Sequence, residues 1–142
     1  MSETNKAVVR RLIETFNTGN LTVLDQIVSN NYVYHEPTVG ERRGIQGSKD
    51  IMNTYRTAFP DSKLTIDEQV ADGDTVVTRF TATGTHTGPL FGVPPSGKRV
   101  TCTGIVISHL QNGKIVEEFE SVDMLGLLRQ IGVVSAALGK AA

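Results

Sequence analysis

"KRVTCTGIVISHLQNGKIVEEFESVD", residues 98–123, alternates apolar and polar side chains on either side of an Asn-Gly pair. Alternation with a period of two is the mark of a strand. Asn112-Gly113 is a preferred centre for a two-residue hairpin, because both residues tolerate the positive φ that such a turn demands. The stretch therefore reads as two antiparallel strands, 98–110 and 115–123, joined by a tight turn. Just upstream, "KLTIDEQVA" (63–71) and "TVVTRFTATGTH" (75–86) flank a "DGD" turn and supply two more strands. "TGPLFGVPPSG" (87–97) links them to the hairpin as a loop rich in Gly and Pro.

Ahead of the strands the period is close to four. Val8, Val9, Leu12, Ile13 and Phe16 predict a first helix that "NTGN" stops at 17–20. Leu21, Leu24, Ile27 and Val28 predict a short second helix over about 20–29. "NYVYHEPTVGERRG" (31–44) reads as irregular, with Pro37, Gly40 and Gly44 as breakers. Ile51, Met52, Tyr55 and Phe59 mark a third helix ended by Pro60, and "MLGLLRQIGVVSAAL" (124–138) restores helical spacing after the last strand. Helices followed by an antiparallel meander make an α+β order, not alternating βαβ units. The expected fold is a curved antiparallel sheet wrapped around the N-terminal helices, forming a cone with an apolar pocket, in a single domain spanning 1–142.

Composition narrows the function classes. The chain has 142 residues, with 14 Lys plus Arg against 15 acids, and no basic stripe with interleaved aromatics, so nucleic acid is not an expected partner. No apolar run approaches a membrane span, and "MSETNKAVVRR" lacks the apolar core of a secretory signal. A cytoplasmic protein that does not engage membranes is expected. Cys102 is the single cysteine, which excludes an internal disulfide and a Cys-pair metal site. The three histidines show no H-x-H or H-E-x-x-H spacing, so no metal is expected. The serines lack a G-x-S-x-G setting, and neither a phosphate loop nor a dinucleotide fingerprint is present.

Strict alternation places Ile115, Glu117, Phe119, Ser121 and Asp123 on one face of the last strand, and Ile105, Ile107 and His109 on one face of its partner. Pairing residue 110 roughly with 115 sets Asp123 opposite a position near Cys102. His109 then lies on the order of 25 Å from Asp123 at about 3.3 Å per residue, so the two are not expected to bond directly. Asp123 has two readings. It stands just before "MLGLLRQ", where an aspartate caps a helix by accepting a backbone N–H. Alternatively it projects into an apolar cavity beside Phe119, where desolvation raises its pKa and lets it move a proton near neutral pH. His35, in "YVYHEP", is either a loop histidine or a pocket donor, and His86 is placed to hydrogen-bond the glycine-rich loop.

"YVYHEP", "AFPDSKLTIDEQVADGDTVVTRFTATGTHTGPLFGVPPSGKRV" and "GKIVEEFESVDMLGLLRQIGVV" together resemble the SnoaL-like polyketide cyclases, of the superfamily named for nuclear transport factor two. The likeness runs from residue 5 to about 134. It implies a deep apolar pocket and ring closure by intramolecular aldol condensation, with no metal or organic cofactor. It also implies catalytic roles for Asp123, His35 and His109, with Asp123 as base and then acid and the histidines polarising carbonyl oxygens. The 14-residue interval from His109 to Asp123 fits the family pattern. Phe119, Ile107, Tyr55, Phe59 and Phe16 are the expected contacts to a small hydrophobic, carbonyl-containing substrate. Phe119 stands where the family often has tryptophan. Other cofactor-free isomerisation, dehydration or hydrolysis on the same scaffold, and a non-catalytic module that binds a small apolar ligand, are the alternatives. A homodimer or higher homo-oligomer is expected, because Val100, Cys102, Val106, Val116 and Val122 would leave an exposed sheet face apolar while Ile105, Ile107 and Phe119 fill the other.

Overall fold

The computed structural model describes residues 2–133. The first helix, α1 (Ser2–Thr18), turns Val9, Leu12 and Phe16 to the interior. A 3-10 turn (Leu21–Val23) and the short α2 (Leu24–Ile27) follow. The chain then enters β1 (Val28–Glu36), β2 (Gly40–Arg43) and α3 (Gly44–Ala58). Four long strands complete the sheet: β3 (Lys63–Asp72), β4 (Thr75–Thr85), β5 (Arg99–Gln111) and β6 (Lys114–Val122). A last short helix, α4 (Met124–Gln130), leaves β6 directly. The α+β reading holds: six strands form one curved, unclosed sheet around the N-terminal helices. Among the described residues no helix is long and apolar enough to cross a membrane.

The strand order is β2-β1-β6-β5-β4-β3. Every neighbouring pair is antiparallel except β1 with β6, which is parallel. The expected second helix thus shrinks to one turn, and the segment read as irregular holds two strands. The physical reason lies in the inward residues of β1. Tyr32, Tyr34 and Glu36 are buried there, and an inward glutamate among polar neighbours masks the alternation.

Register decides which side chains face the helices. The hairpin turns at Asn112 and Gly113 with φ of 53° and 77°, as a primed turn requires. Leu110 pairs with Ile115 as expected, but His109 pairs with Glu117, so Val116 is an extra residue in β6. Such a bulge inverts the alternation beyond it. Ile115 points inward, and after the bulge Glu118 is buried while Phe119 is exposed. Asp123 lies beside Thr103, its N–H donating to the Thr103 carbonyl at 3.0 Å, and its own carbonyl accepts from the Cys102 thiol at 3.6 Å.

On β5 the inward series is Val100, Cys102, Gly104, Val106, Ser108 and Leu110. Gly104 is needed there because a Cβ would stand 2.5 Å from Cζ of Phe80, whose ring crosses the concave face. Val100, Cys102 and Val106, expected on an exposed face, are therefore buried. The residues left on the outside are Ile105, Ile107 and Phe119, at 46%, 38% and 43% exposure.

Candidate active site

A cavity that opens to solvent lies between the concave face of the sheet and helices α1 and α3. Helix α1 contributes Val9, Leu12 and Phe16, α3 contributes Met52 and Tyr55, and Phe59 follows α3. The sheet side is apolar too, with Phe80, Val100, Val106 and Val122, but β6 adds two carboxylates, Glu118 and Glu120. Their spacing of two residues on a strand puts both on the same face.

Each glutamate is held by a tyrosine of the parallel neighbour β1. Tyr32 Oη donates to Glu118 Oε1 at 2.7 Å, and Tyr34 Oη donates to Glu120 Oε1 with the same stagger along the strands. Glu118 is clamped twice, since Ser108 Oγ of β5 donates to its Oε2 at 2.5 Å. Glu120 keeps part of its surface open, and among the described residues its one hydrogen bond is the one from Tyr34.

Burial pushes the Glu120 carboxyl up to about 7; the negative charges of Glu118 and Glu36 add to this and the Tyr34 hydroxyl opposes it. Burial raises Glu118 as well, against the two hydroxyls that stabilise its charge. Glu36 itself is engaged elsewhere, with Oε2 accepting the N–H groups of Thr38 and Val39 at 2.7 and 2.9 Å to fix the β1–β2 turn. Cys102 also lines the cavity, but burial, aided by the charge of Asp123, pushes its thiol up to about 11, so it stays protonated. A carboxyl that titrates near neutrality in an apolar chamber is equipped to take a proton and return it.

The residues expected to form the site fall in three places. Tyr55, Phe59 and Phe16 line the cavity. His35, His109, Phe119 and Ile107 come together on the convex face instead. There His35 stacks on Phe119 with ring centroids 4.4 Å apart and bonds Glu117 through Nε2 at 2.8 Å. His109 meets the same Phe119 edge-on at 6.1 Å and bonds Thr75 Oγ1 through Nδ1 at 3.2 Å. Asp123 is exposed at the start of α4, where Oδ1 accepts the Gly126 N–H at 2.9 Å. It is a helix cap and is not on the cavity wall. His86 does anchor the Gly/Pro-rich loop, with Nδ1 2.9 Å from Ser96 Oγ.

Glu118, Glu120 and Ser108 lie opposite to the expected face because of the extra residue in β6, and Tyr32 and Tyr34 fall in the segment that reads as irregular. One signal was available. "YVY" at 32–34 and "EFE" at 118–120 share a spacing of two, as matched donors and acceptors on adjacent strands would.

Residues 6–131 match the family model described as SnoaL-like polyketide cyclase. The chain belongs to the SnoaL-like polyketide cyclase family. Among its SnoaL-like relatives is aklanonic acid methyl ester cyclase DnrD of Streptomyces peucetius, 28% identical over 131 residues and covering 88% of each chain. The solved structure of TsrD from Streptomyces laurentii is 32% identical, covers 90% of this chain and 97% of its own, and superposes with a TM-score of 0.80. IdmH of Streptomyces antibioticus is 31% identical, covers 91% and 99%, and also gives a TM-score of 0.80.

Proposed function

We propose that this SnoaL-like protein closes a ring in a polyketide by intramolecular aldol condensation, with Glu120 carrying the proton. The observation behind this reading is a half-buried carboxyl brought to about pH 7 on the wall of an apolar cavity that opens to solvent. In its ionised form Glu120 takes a proton from the carbon next to a substrate carbonyl. The C–H electrons form the enolate, whose carbon attacks a second carbonyl of the same molecule. A new C–C bond forms, and protonated Glu120 returns the proton to the alkoxide that results. The sequence of steps needs a proton carrier and electrostatic support for the enolate, and neither requires a metal or an organic cofactor. The apolar wall suits a small hydrophobic substrate, and the relatives named as cyclases of aklanonic acid methyl ester support the polyketide class. Hydrolysis is less well served, because the second carboxylate, Glu118, has both oxygens engaged by Tyr32 and Ser108.

Aklanonic acid methyl ester is the substrate to try first, followed by chromatography of the cyclised product. Glu120→Gln is expected to lower turnover by about 10² to 10⁴, the usual contribution of a positioned proton carrier. Asp123→Asn, which preserves a capping side chain, is expected to turn over like the parent. The reverse pattern would return the proton-carrying role to Asp123.

A further inference from the structure

Two hydroxyls on the cavity wall, Tyr55 Oη and Ser62 Oγ, are buried with no hydrogen-bond partner among the described residues. Buried polar atoms in folded proteins nearly always find a partner, and an orphan one weakens the fold unless a ligand completes it. The other two tyrosines of the wall, Tyr32 and Tyr34, are each committed to a glutamate. Tyr55 is the phenol left to face a ligand.

Its surroundings fix both its direction and its protonation. The ring stands edge-on to Phe91, with centroids 6.2 Å apart at 87°. Burial raises the phenol well above its ordinary value, and the charges of Glu120 and Glu36 add to that, so Tyr55 is always a donor. Tyr55 and Glu120 line the same cavity, Tyr55 from α3 and Glu120 from β6. Ser62 lies between Phe59 and β3, packed beside Gly84, where an added Cβ would come within 3.4 Å of the Ser62 Cα and 2.9 Å of the Phe59 Cβ.

We propose that Tyr55 donates its hydrogen bond to the substrate carbonyl whose neighbouring carbon gives a proton to Glu120, and that Ser62 binds a second oxygen of the same molecule. The ligand is thus a largely apolar molecule with at least two oxygen functions. As the C–H bond breaks and its electrons move onto the carbonyl oxygen, the Tyr55 O–H meets growing negative charge, and the bond strengthens where it lowers the barrier. The proton stays on Tyr55; only Glu120 changes its protonation. The assignment of Tyr55 to a reacting carbonyl rests on the acid-base reading of Glu120, whereas the binding of ligand oxygens does not.

The test separates these two parts. The probe is 1,8-dihydroxyanthraquinone, a flat tricycle with hydroxyl and carbonyl oxygens, titrated by its visible absorption. Saturable binding to the parent protein is expected, about tenfold weaker for Tyr55→Phe and about threefold weaker for Ser62→Ala. Equal affinity for parent and Tyr55→Phe, or no binding to the parent, overturns the proposal. Tyr55→Phe deletes an unpaired polar atom and keeps the ring, so its melting temperature is expected to equal or exceed that of the parent. A lower one assigns the hydroxyl a structural role and overturns it too. In turnover of aklanonic acid methyl ester, Tyr55→Phe is expected to lower kcat by about 10² with a smaller change in KM. An unchanged kcat overturns the catalytic assignment. If Glu120→Gln turns over normally while Tyr55→Phe still weakens the probe, the acid-base reading fails and the oxygen-binding assignment stands.

Discussion

Glu120 joins two demands that oppose each other, a charge for chemistry and burial for the fold. Its carboxyl moves from an ordinary 4.5 to about 7 on folding, so the folded chain holds that proton more tightly than the unfolded chain does. Between those two values stability must fall as pH rises, because the folded state is asked to bury a charge that the unfolded state keeps in water. The stabilising contribution is complete below about 4.5 and lost by the time pH has passed about 7. Glu120→Gln removes this dependence. Its stability relative to the parent is expected to improve between about pH 5 and pH 8 by on the order of 2 kcal/mol, read from denaturant titrations at both pH values. A difference that does not vary with pH would place the ionised Glu120 in a well-hydrated setting. Glu118 shifts in the same direction and remains in the variant, so some of the parent's slope persists.

Among the elements, α1 and α3 are legible from a period near four, and β3 to β6 from runs of alternating side chains bounded by turn residues. β1 is not. Its inward side carries Tyr32, Tyr34 and Glu36, so the polarity contrast that betrays a strand is missing where the site is built. β6 was recognised as a strand but with its faces exchanged. Both its faces and both faces of β5 carry apolar residues, and one inserted residue, Val116, decides between them. Local pattern does not encode such a bulge, which answers to the twist of the whole sheet. What fixes the inward face of β5 is the contact between Gly104 and Phe80. Gly104→Ala would bring a methyl group to 2.5 Å from the Phe80 ring. The expected cost is about 1–3 kcal/mol by thermal unfolding, as the ring is driven into the cavity that it lines. A neutral outcome would mean that Phe80 has free space to retreat into.

At the scale of the whole molecule, the outer face poses a question of assembly. Ile105, Ile107 and Phe119 lie on the neighbouring strands β5 and β6, all at least 38% exposed, with His35 and His109 packed around the Phe119 ring. The expected two-sided apolar sheet is there, with the exposed set exchanged for the buried one. A second copy of the chain, meeting this face about a twofold axis, would cover the apolar side chains of both copies. A homodimer by light scattering at micromolar concentration is the expected result, and Ile105→Glu is expected to yield a folded monomer. A parent protein that scatters as a monomer would remove the homodimer from consideration.

The position of β6 also bears on how the chain is made. It comes last of the six strands along the described residues, yet it is inserted at the centre of the sheet, between β1 and β5. Until it emerges, β1 and β2 form one unit and β3, β4 and β5 another, with nothing in the sheet to join them. Tyr34 waits 86 positions for its glutamate. Contacts so distant along the chain are slow to form and leave strand edges open meanwhile. A ribosome that has delivered everything up to the hairpin turn therefore holds two incomplete sheets with no carboxylate between them. The arrival of nine residues joins the two parts of the sheet and supplies both acids in one event.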